Sequence, residues 1–386
     1  MTVEIADKRT DETRALLKNL DEVVKEWQKF DYSSAYQDND LKQICLNFDR
    51  AKRRFGSTSF FIVIFGPLKA GKSTLANVLA NDYVSPTGFG IETTRRPSLV
   101  MGSNEHCIEQ YFSTDSDINN ALRQFRVKKS DKAPHSEMTD DIKKKFRNEF
   151  ELVYDYLREV GNEEEFQKYI HIKRLDLNEK NLKEVLTGDF GSGWEPLFTA
   201  IRCKKSELLN NKVVIVDMPG LDGTHSNWKE DPIHEWVIQQ ADYFFFCQSS
   251  VAAINMETKD FIRDIVGPKS SRPPIYLIQN IFEARTWQPQ KVQQADIDQQ
   301  RDDGAERLKN ILEMQPRTVG LNLGKAWDGK NAPDKEWLGQ TKFPEFEKDF
   351  VETLNSERSG IHENNCVKNL RNKIEEAEKI LTQLHG

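Results

Sequence analysis

The sequence predicts an α/β protein: a mostly parallel sheet covered by helices on both faces, joined to a small helical bundle made by the N- and C-terminal helices. Two patterns carry the prediction. Through the middle of the chain, short apolar runs rich in β-branched and aromatic residues alternate with helical stretches, as strands buried on both sides do. Toward both ends, apolar residues recur at spacings of three and four among charged ones, the signature of amphipathic helices.

The elements follow in chain order. Residues 11–30 place Leu16, Leu20, Val23, Trp27 and Phe30 on one helical face, and a second such run holds Leu41, Ile44, Phe48, Ala51 and Phe55. Strands are predicted at Ser59–Phe65, Lys212–Asp217, Asp242–Cys247 and Pro274–Gln279, with a further one at Arg317–Leu323. Residues 114–185 interrupt the scheme as a charged, helical insertion, in which Ile142, Phe146, Phe150, Val153, Leu157 and Val160 share a face. Near the end, Val367, Leu370, Ile374, Ala377, Leu381 and Leu384 step in alternating threes and fours, a heptad seam that one helix cannot bury alone. The expected division is residues 1–55 as N-terminal bundle helices, 56–356 as the α/β domain and 357–386 as the C-terminal bundle helix. Ordinary amphipathic surface helices are the other reading of the two ends.

Composition removes several classes. With 386 residues the chain is long enough for two or three units of about 150 residues each. The 55 basic and 62 acidic side chains leave a net charge of −7, which disfavours a nucleic-acid partner. Mean hydropathy is −0.69, yet 22 Phe, 9 Tyr and 7 Trp argue for packed cores rather than disorder. The longest clean apolar run, Phe60–Phe65, is far short of the ~20 residues that span a bilayer. No basic-then-apolar leader opens the chain. Five scattered cysteines and seven dispersed histidines give neither a disulfide framework nor a zinc spacing. The expectation is a reduced, cytoplasmic protein.

The strongest chemical signal is Gly66-Pro67-Leu68-Lys69-Ala70-Gly71-Lys72-Ser73-Thr74, lying between the strand Phe60–Phe65 and the helix-like run Leu75-Ala76-Asn77-Val78-Leu79. Gly, four residues and Gly-Lys-Ser in a strand–loop–helix setting form a P-loop, the phosphate-binding turn of the P-loop NTPases. The fold class sharpens accordingly to a three-layer P-loop domain. Glycines let backbone N–H groups approach phosphate oxygens, and the helix start adds its dipole. Lys72 is expected to reach the β- and γ-phosphates, and the Ser73 hydroxyl to bind magnesium.

Two further elements sit where such a site needs them. Val213-Val214-Ile215-Val216 runs into Asp217-Met218-Pro219-Gly220. A carboxylate at a buried strand end can hold magnesium through a water, and the Gly220 N–H can meet the γ-phosphate. Between the two lies Glu92-Thr93-Thr94-Arg95-Arg96-Pro97, preceded by Ser85-Pro86-Thr87-Gly88-Phe89-Gly90. A threonine on such a loop completes magnesium coordination only when the γ-phosphate is present. Taken alone, that stretch also reads as a plain polar loop.

Together the three elements resemble the dynamin-like large GTPases, especially bacterial members. In that family the phosphate loop is followed by a threonine directly before Arg-Arg-Pro, which Thr94 matches, and then by Asp-x-Pro-Gly, which Asp217 to Gly220 matches. The resemblance covers about residues 56–356, and the terminal helices look like the family's neck bundle. It implies GTP as ligand, magnesium as cofactor, catalytic roles for Lys72, Thr94 and Lys69, and Ser73, Thr94 and Asp217 as the metal's ligands. It also implies a homodimer through the nucleotide face, peripheral membrane work, and a stalk and tip beyond the GTPase region. Here only one seamed helix follows Leu354, so the expectation is a piece of a longer protein, with the membrane work given to a partner as the other reading.

The departures are specific. The family reads guanine with Thr/Asn-Lys-x-Asp after a strand; here the strand ends in Gln279-Asn280-Ile281-Phe282-Glu283. Gln279, Asn280 and Glu283 are the candidates for base contact, although Phe282 stands where the Asp is expected and Glu283, one position later, substitutes for it only with a redirected side chain. Leu68 replaces the family's polar P-loop residue and cannot orient water. Lys69 is either an internal cationic finger at the β–γ bridge or a solvated loop lysine, and His225 is a candidate to orient water. The leading expectation is a GTP-hydrolysing switch, faster when two nucleotide faces pair, coupled to membrane remodelling. The alternatives are a nucleotide-binding module with little hydrolysis and an ATP-using relative; a kinase fits least.

Overall fold

In the computed structural model the residues described are 15, 18–19, 22, 48, 50–51, 53–55, 57, 59–87, 96–126, 139–159, 161–187, 194–204, 206–210, 212–221, 232–249, 259, 262–263, 273–281, 294–312, 316–331 and 342–385. The strands are β1 (Phe60–Phe65), β2 (Ser98–Gly102), β3 (Cys107–Ser113), β4 (Ile170–Asp176), β5 (Phe198–Cys203), β6 (Val213–Asp217), β7 (Tyr243–Ser249), β8 (Ile275–Asn280) and β9 (Arg317–Leu321). The helices are α1 (Lys72–Ala80), α2 (Ser116–Arg126), α3 (Asp140–Leu157), α4 (Glu163–Tyr169), α5 (Glu179–Thr187), α6 (Glu207–Asn210), α7 (Pro232–Gln239), α8 (Gln294–Leu312), α9 (Leu323–Asn331) and α10 (Phe343–His385).

All nine strands form one sheet in the order β4-β3-β5-β2-β6-β1-β7-β8-β9. Every residue of β1 is buried, as a strand covered on both faces requires. It pairs in parallel with β6 and β7, and the parallel ladder continues through β8 to β9. The chain folds this way locally because Phe-Phe-Ile-Val-Ile-Phe in β1, Val-Val-Ile-Val in β6 and Tyr-Phe-Phe-Phe in β7 leave no polar face to solvate. Phe65 packs its ring against Phe244 and Phe246 of β7, centroids 5.5 and 5.2 Å apart.

The other half of the sheet is mixed. β2 runs parallel to β5 but antiparallel to β6, and β3 is antiparallel to both β4 and β5. The stretch 114–185, expected to be wholly helical, therefore needs a correction. It supplies α2 to α5, but Ile170–Asp176 between them is β4, paired with β3 over seven residues. Its alternation of half-buried and exposed side chains is that of the last strand in the sheet order. The apolar face predicted for residues 142–160 is there: Phe146, Phe150, Val153 and Leu157 are buried in α3, while Val160 lies outside the described residues.

Two compact units divide the chain: residues 59–153 with 163–352, and residues 1–58 with 154–162 and 353–386. In the first, Phe343, Phe346 and Phe350 recur along the first turns of α10 and are all buried. Phe346 and Phe350 meet Tyr276 and Phe245 of the parallel strands, with Phe245 and Phe350 centroids 4.8 Å apart and Tyr276 and Phe346 5.4 Å apart. Truncating any of these rings costs about 3–5 kcal/mol.

In the second unit, Phe48, Ala51, Phe55, Cys366 and Leu370 are buried. The Arg54 Nε donates to Asp155 Oδ1 at 2.8 Å, and the Arg54 and Arg158 guanidinium groups each lie over the Tyr154 ring, at 4.7 and 4.6 Å. His362 of α10 donates from Nε2 to the Arg54 carbonyl at 3.0 Å. The predicted C-terminal helix begins earlier than expected, since α10 runs unbroken over 43 residues from Phe343. Leu16, Leu20, Val23, Trp27 and Phe30 of the first predicted run, and Leu41 and Ile44 of the second, lie outside the described residues.

Candidate nucleotide site

The phosphate loop leaves β1 at Gly66, whose φ of +148° suits glycine. A Cβ there would be driven into the Cys247 carbonyl of β7, so the close approach of two strands fixes this residue. The loop then turns on itself: the Ala70 N–H donates to the Pro67 carbonyl at 3.3 Å, and Leu75 N–H to Gly71 at 2.8 Å opens α1. Lys69 holds a left-handed φ of 62°, uncommon for a side chain bearing Cβ, and is exposed. Gly71 is left-handed at φ 98°, and a Cβ on it would strike the Asn280 side chain and sit 3.2 Å from Leu323.

Lys72 is buried and donates from Nζ to the Pro67 carbonyl at 2.8 Å, across the mouth of the loop. Ser73, the next residue, donates from Oγ to Asp217 Oδ2 at 2.9 Å. The two residues stand 144 positions apart, and their meeting brings the P-loop and the end of β6 to one point. Asp217 is fully buried. Beyond it, Met218 N–H donates to Ile64 of β1 at 3.1 Å and Leu221 N–H to the Gly66 carbonyl at 3.3 Å, so the Asp-x-Pro-Gly turn is stitched along the P-loop. Gly220 faces Leu68: a Cβ on Gly220 would lie 3.0 Å from Leu68 Cα and Cδ1.

On the far side, β8 ends at Asn280. Its Oδ1 accepts from the Leu323 N–H at 3.3 Å, at the start of α9, and its amide reaches the space beside Gly71. Asn322 caps the same helix start through Lys325 N–H at 3.0 Å. Asn280 thus joins the P-loop, β8 and α9, whereas Gln279, buried beside it, points to the opposite side of the strand by the two-residue alternation. Of the two, Asn280 is the one whose side chain lies beside Gly71 and at the start of α9. Glu283, Thr94 and His225 lie outside the described residues. Pro67, Ala70 and Thr74 are placed in the loop and first turn of α1 as predicted.

One contact was not legible in the motifs. Ser85 Oγ donates to the same Asp217 Oδ2 at 2.7 Å, and Ser85 is fully buried. It is held there by Asn77 of α1: Asn77 Oδ1 accepts from Val84 N–H at 2.9 Å and Ser85 N–H at 2.8 Å, and its Nδ2 donates to the Ser85 carbonyl at 2.8 Å. A polar residue within Leu75-Ala76-Asn77-Val78-Leu79 was the available signal, since a buried amide needs partners.

The donors gathered at the end of β6 are a hydroxyl and a carboxylate, hard oxygen ligands that suit magnesium rather than a soft metal. A Glu105–Cys107–Glu109 cluster also exists at the start of β3, but Glu109 is committed to protein groups. It accepts from Tyr111 Oη at 2.7 Å, Arg202 Nε at 2.6 Å and Arg174 Nε at 3.0 Å. Burial alone would raise its carboxyl; the Tyr111 hydroxyl and then the two guanidiniums outweigh that and hold it below the usual carboxylate value.

Residues 62–281, more than half of the chain, match the Dynamin family. The chain belongs to the dynamin family. No curated protein matches it. Two solved structures from a study of an oligomerised bacterial dynamin pair, described there as a mechanism for long-range sensing and tethering of membranes, are 19% identical to this dynamin-family chain. Their TM-scores are 0.48 and 0.47, over 96% and 98% of this chain and 48% and 59% of theirs. The LeoA bacterial dynamin GTPase from ETEC is 13% identical with a TM-score of 0.39, over 96% of this chain and 48% of its own. The chain therefore spans about half the length of these solved relatives. Among the described residues of this dynamin-family chain, no helix is long and apolar enough to cross a membrane.

Proposed function

We propose that the protein binds and hydrolyses GTP with magnesium. The observation that carries this reading is the meeting of Ser73 Oγ with Asp217 Oδ2 at 2.9 Å beneath a P-loop whose lysine already faces inward. Bound magnesium would neutralise charge on the β- and γ-phosphate oxygens. Ser73, Asp217 through a water, and Thr94 are its protein partners. Lys72 exchanges the Pro67 carbonyl for phosphate oxygens, and the Gly220 N–H meets the γ-phosphate. Asn280 braces the loop while Glu283 accepts from the guanine edge, which favours GTP over ATP.

Leu68 packed on Gly220 cannot position water, so hydrolysis by one molecule is slow. Lys69, displayed by its left-handed backbone, supplies a positive charge at the β–γ bridge when two nucleotide faces pair. In this reading the second unit forms the neck bundle, and the protein acts peripherally at a membrane, with remodelling as the output. The opposite reading, a binding module with little hydrolysis, is favoured by the same Leu68–Gly220 packing.

Titration calorimetry with GTP and ATP in magnesium tests the first step: GTP heat that ATP does not match supports the reading, and silence from both overturns it. Turnover per molecule that rises with protein concentration supports pairing. Turnover near zero at every concentration leaves the binding module.

A further inference from the structure

We propose that Ser85 is a positioning residue for the divalent ion, aiming the Asp217 carboxylate through a clasp that α1 builds with Asn77. The inference rests on the nucleotide–magnesium reading above and adds to it a residue that no motif contains. Ser73 and Asn77 stand four residues apart on α1 and so share one face. Ser73 reaches Asp217 directly, while Asn77 reaches it through Ser85, which it grips at both N–H and carbonyl. Asp217 Oδ2 consequently accepts two hydroxyl donors, at 2.9 and 2.7 Å.

The arrangement has a physical consequence. A carboxylate that accepts two hydrogen bonds on one oxygen is fixed in rotation, so its other oxygen is presented in one direction. Ser73 cannot secure that alone, because in the loaded state its oxygen also serves the ion. Ser85 has no such second duty: it is fully buried, its own N–H and carbonyl are both bonded to the Asn77 amide, and the neighbouring Val84 N–H adds a third bond to the same group. Orienting groups behind a metal's ligands typically change metal affinity 10–100-fold. Ser85 also begins the segment that runs toward Thr94, so the clasp couples the start of that segment to the ion.

The test uses the full chain and a fluorescent, non-hydrolysable purine triphosphate that the parent binds, with magnesium chloride titrated against nucleotide release. Ser85→Ala is expected to raise the half-saturating magnesium concentration about tenfold, with nucleotide affinity at saturating magnesium and in EDTA close to the parent's. Ser85→Thr keeps the hydroxyl and is expected to restore most of the parent's magnesium dependence. A Ser85→Ala midpoint equal to the parent's overturns the proposal, as does a loss of affinity that is the same in EDTA and in magnesium, since that is a packing defect. A parent whose nucleotide release ignores magnesium overturns the underlying reading and this proposal together, whereas a magnesium-sensitive parent with a Ser85→Ala variant of the same midpoint overturns this proposal alone.

Discussion

The two halves of the sheet treat buried charge in opposite ways. From β6 to β9 the strands are all parallel, and Asp217 and Asn280 stand at their carboxyl ends. From β4 to β2 the ladder is mixed, and its buried carboxylate, Glu109, sits in mid-strand facing two arginines. Glu109 has its charge neutralised by guanidinium groups; Asp217 Oδ2 is met by two neutral hydroxyls. The partners named for Glu109 are cations of the protein, whereas the hydroxyls on Asp217 Oδ2 bring no charge of their own. Burial marks both residues, and the chemistry of their partners separates them.

The comparison breaks if either half behaves like the other. Lys72→Ala is expected to have the largest effect, a loss of about 5 kcal/mol or several thousandfold in nucleotide affinity, read by calorimetry, with the melting transition in the absence of nucleotide little changed. Glu109→Ala should do the reverse: about 3 kcal/mol of fold stability lost in urea melts, because Arg202 is left facing a void, with nucleotide affinity retained. If Glu109→Ala removes nucleotide binding at constant stability, the division of labour is wrong. Lys69→Ala is expected to slow turnover about a hundredfold without changing nucleotide affinity, measured by phosphate release at high protein concentration; an unchanged rate leaves Lys69 as a solvated loop residue.

The smallest effect concerns Glu149, which accepts from Ser113 Oγ at 2.9 Å. Burial pushes its carboxyl up from 4.5 to about 7, with the Ser113 hydrogen bond working the other way. The folded state therefore holds a proton that the unfolded chain releases between about pH 4.5 and 7. Stability from this group is full at the acid end of that window and is lost as pH rises through it. Glu149→Gln should flatten the slope and gain about 1 kcal/mol at pH 8; a melting profile as steep as the parent's counts against the assignment.

The parallel half was legible because its strands are continuous apolar runs. The mixed half was not. β3 reads Cys-Ile-Glu-Gln-Tyr-Phe-Ser, where the buried Glu109 and Gln110 break every strand template, and β4 carries four charged or histidine side chains among seven residues. Only pairing across the sheet makes such segments strands. At the site, the P-loop and Asp217 were readable from spacing, and Asn280 required the β8 register to choose between it and Gln279. Ser85 was missed because its contact with Asp217 spans 132 positions, and its one local trace is the polar Asn77 on an otherwise apolar stretch of α1.

The aromatic contacts at the root of α10 tie that helix to β8. Tyr276 and Asn280 lie four residues apart on β8, on the same side of the strand and separated by about 13 Å. At one end Asn280 accepts from the Leu323 N–H beside Gly71; at the other Tyr276 is wedged among Phe245, Phe346 and Phe350. A stiff rod gripped at both ends transmits displacement and does not absorb it. A displacement of β8 would carry these ring contacts with it, because parting them loses the packing of several buried aromatic side chains at once.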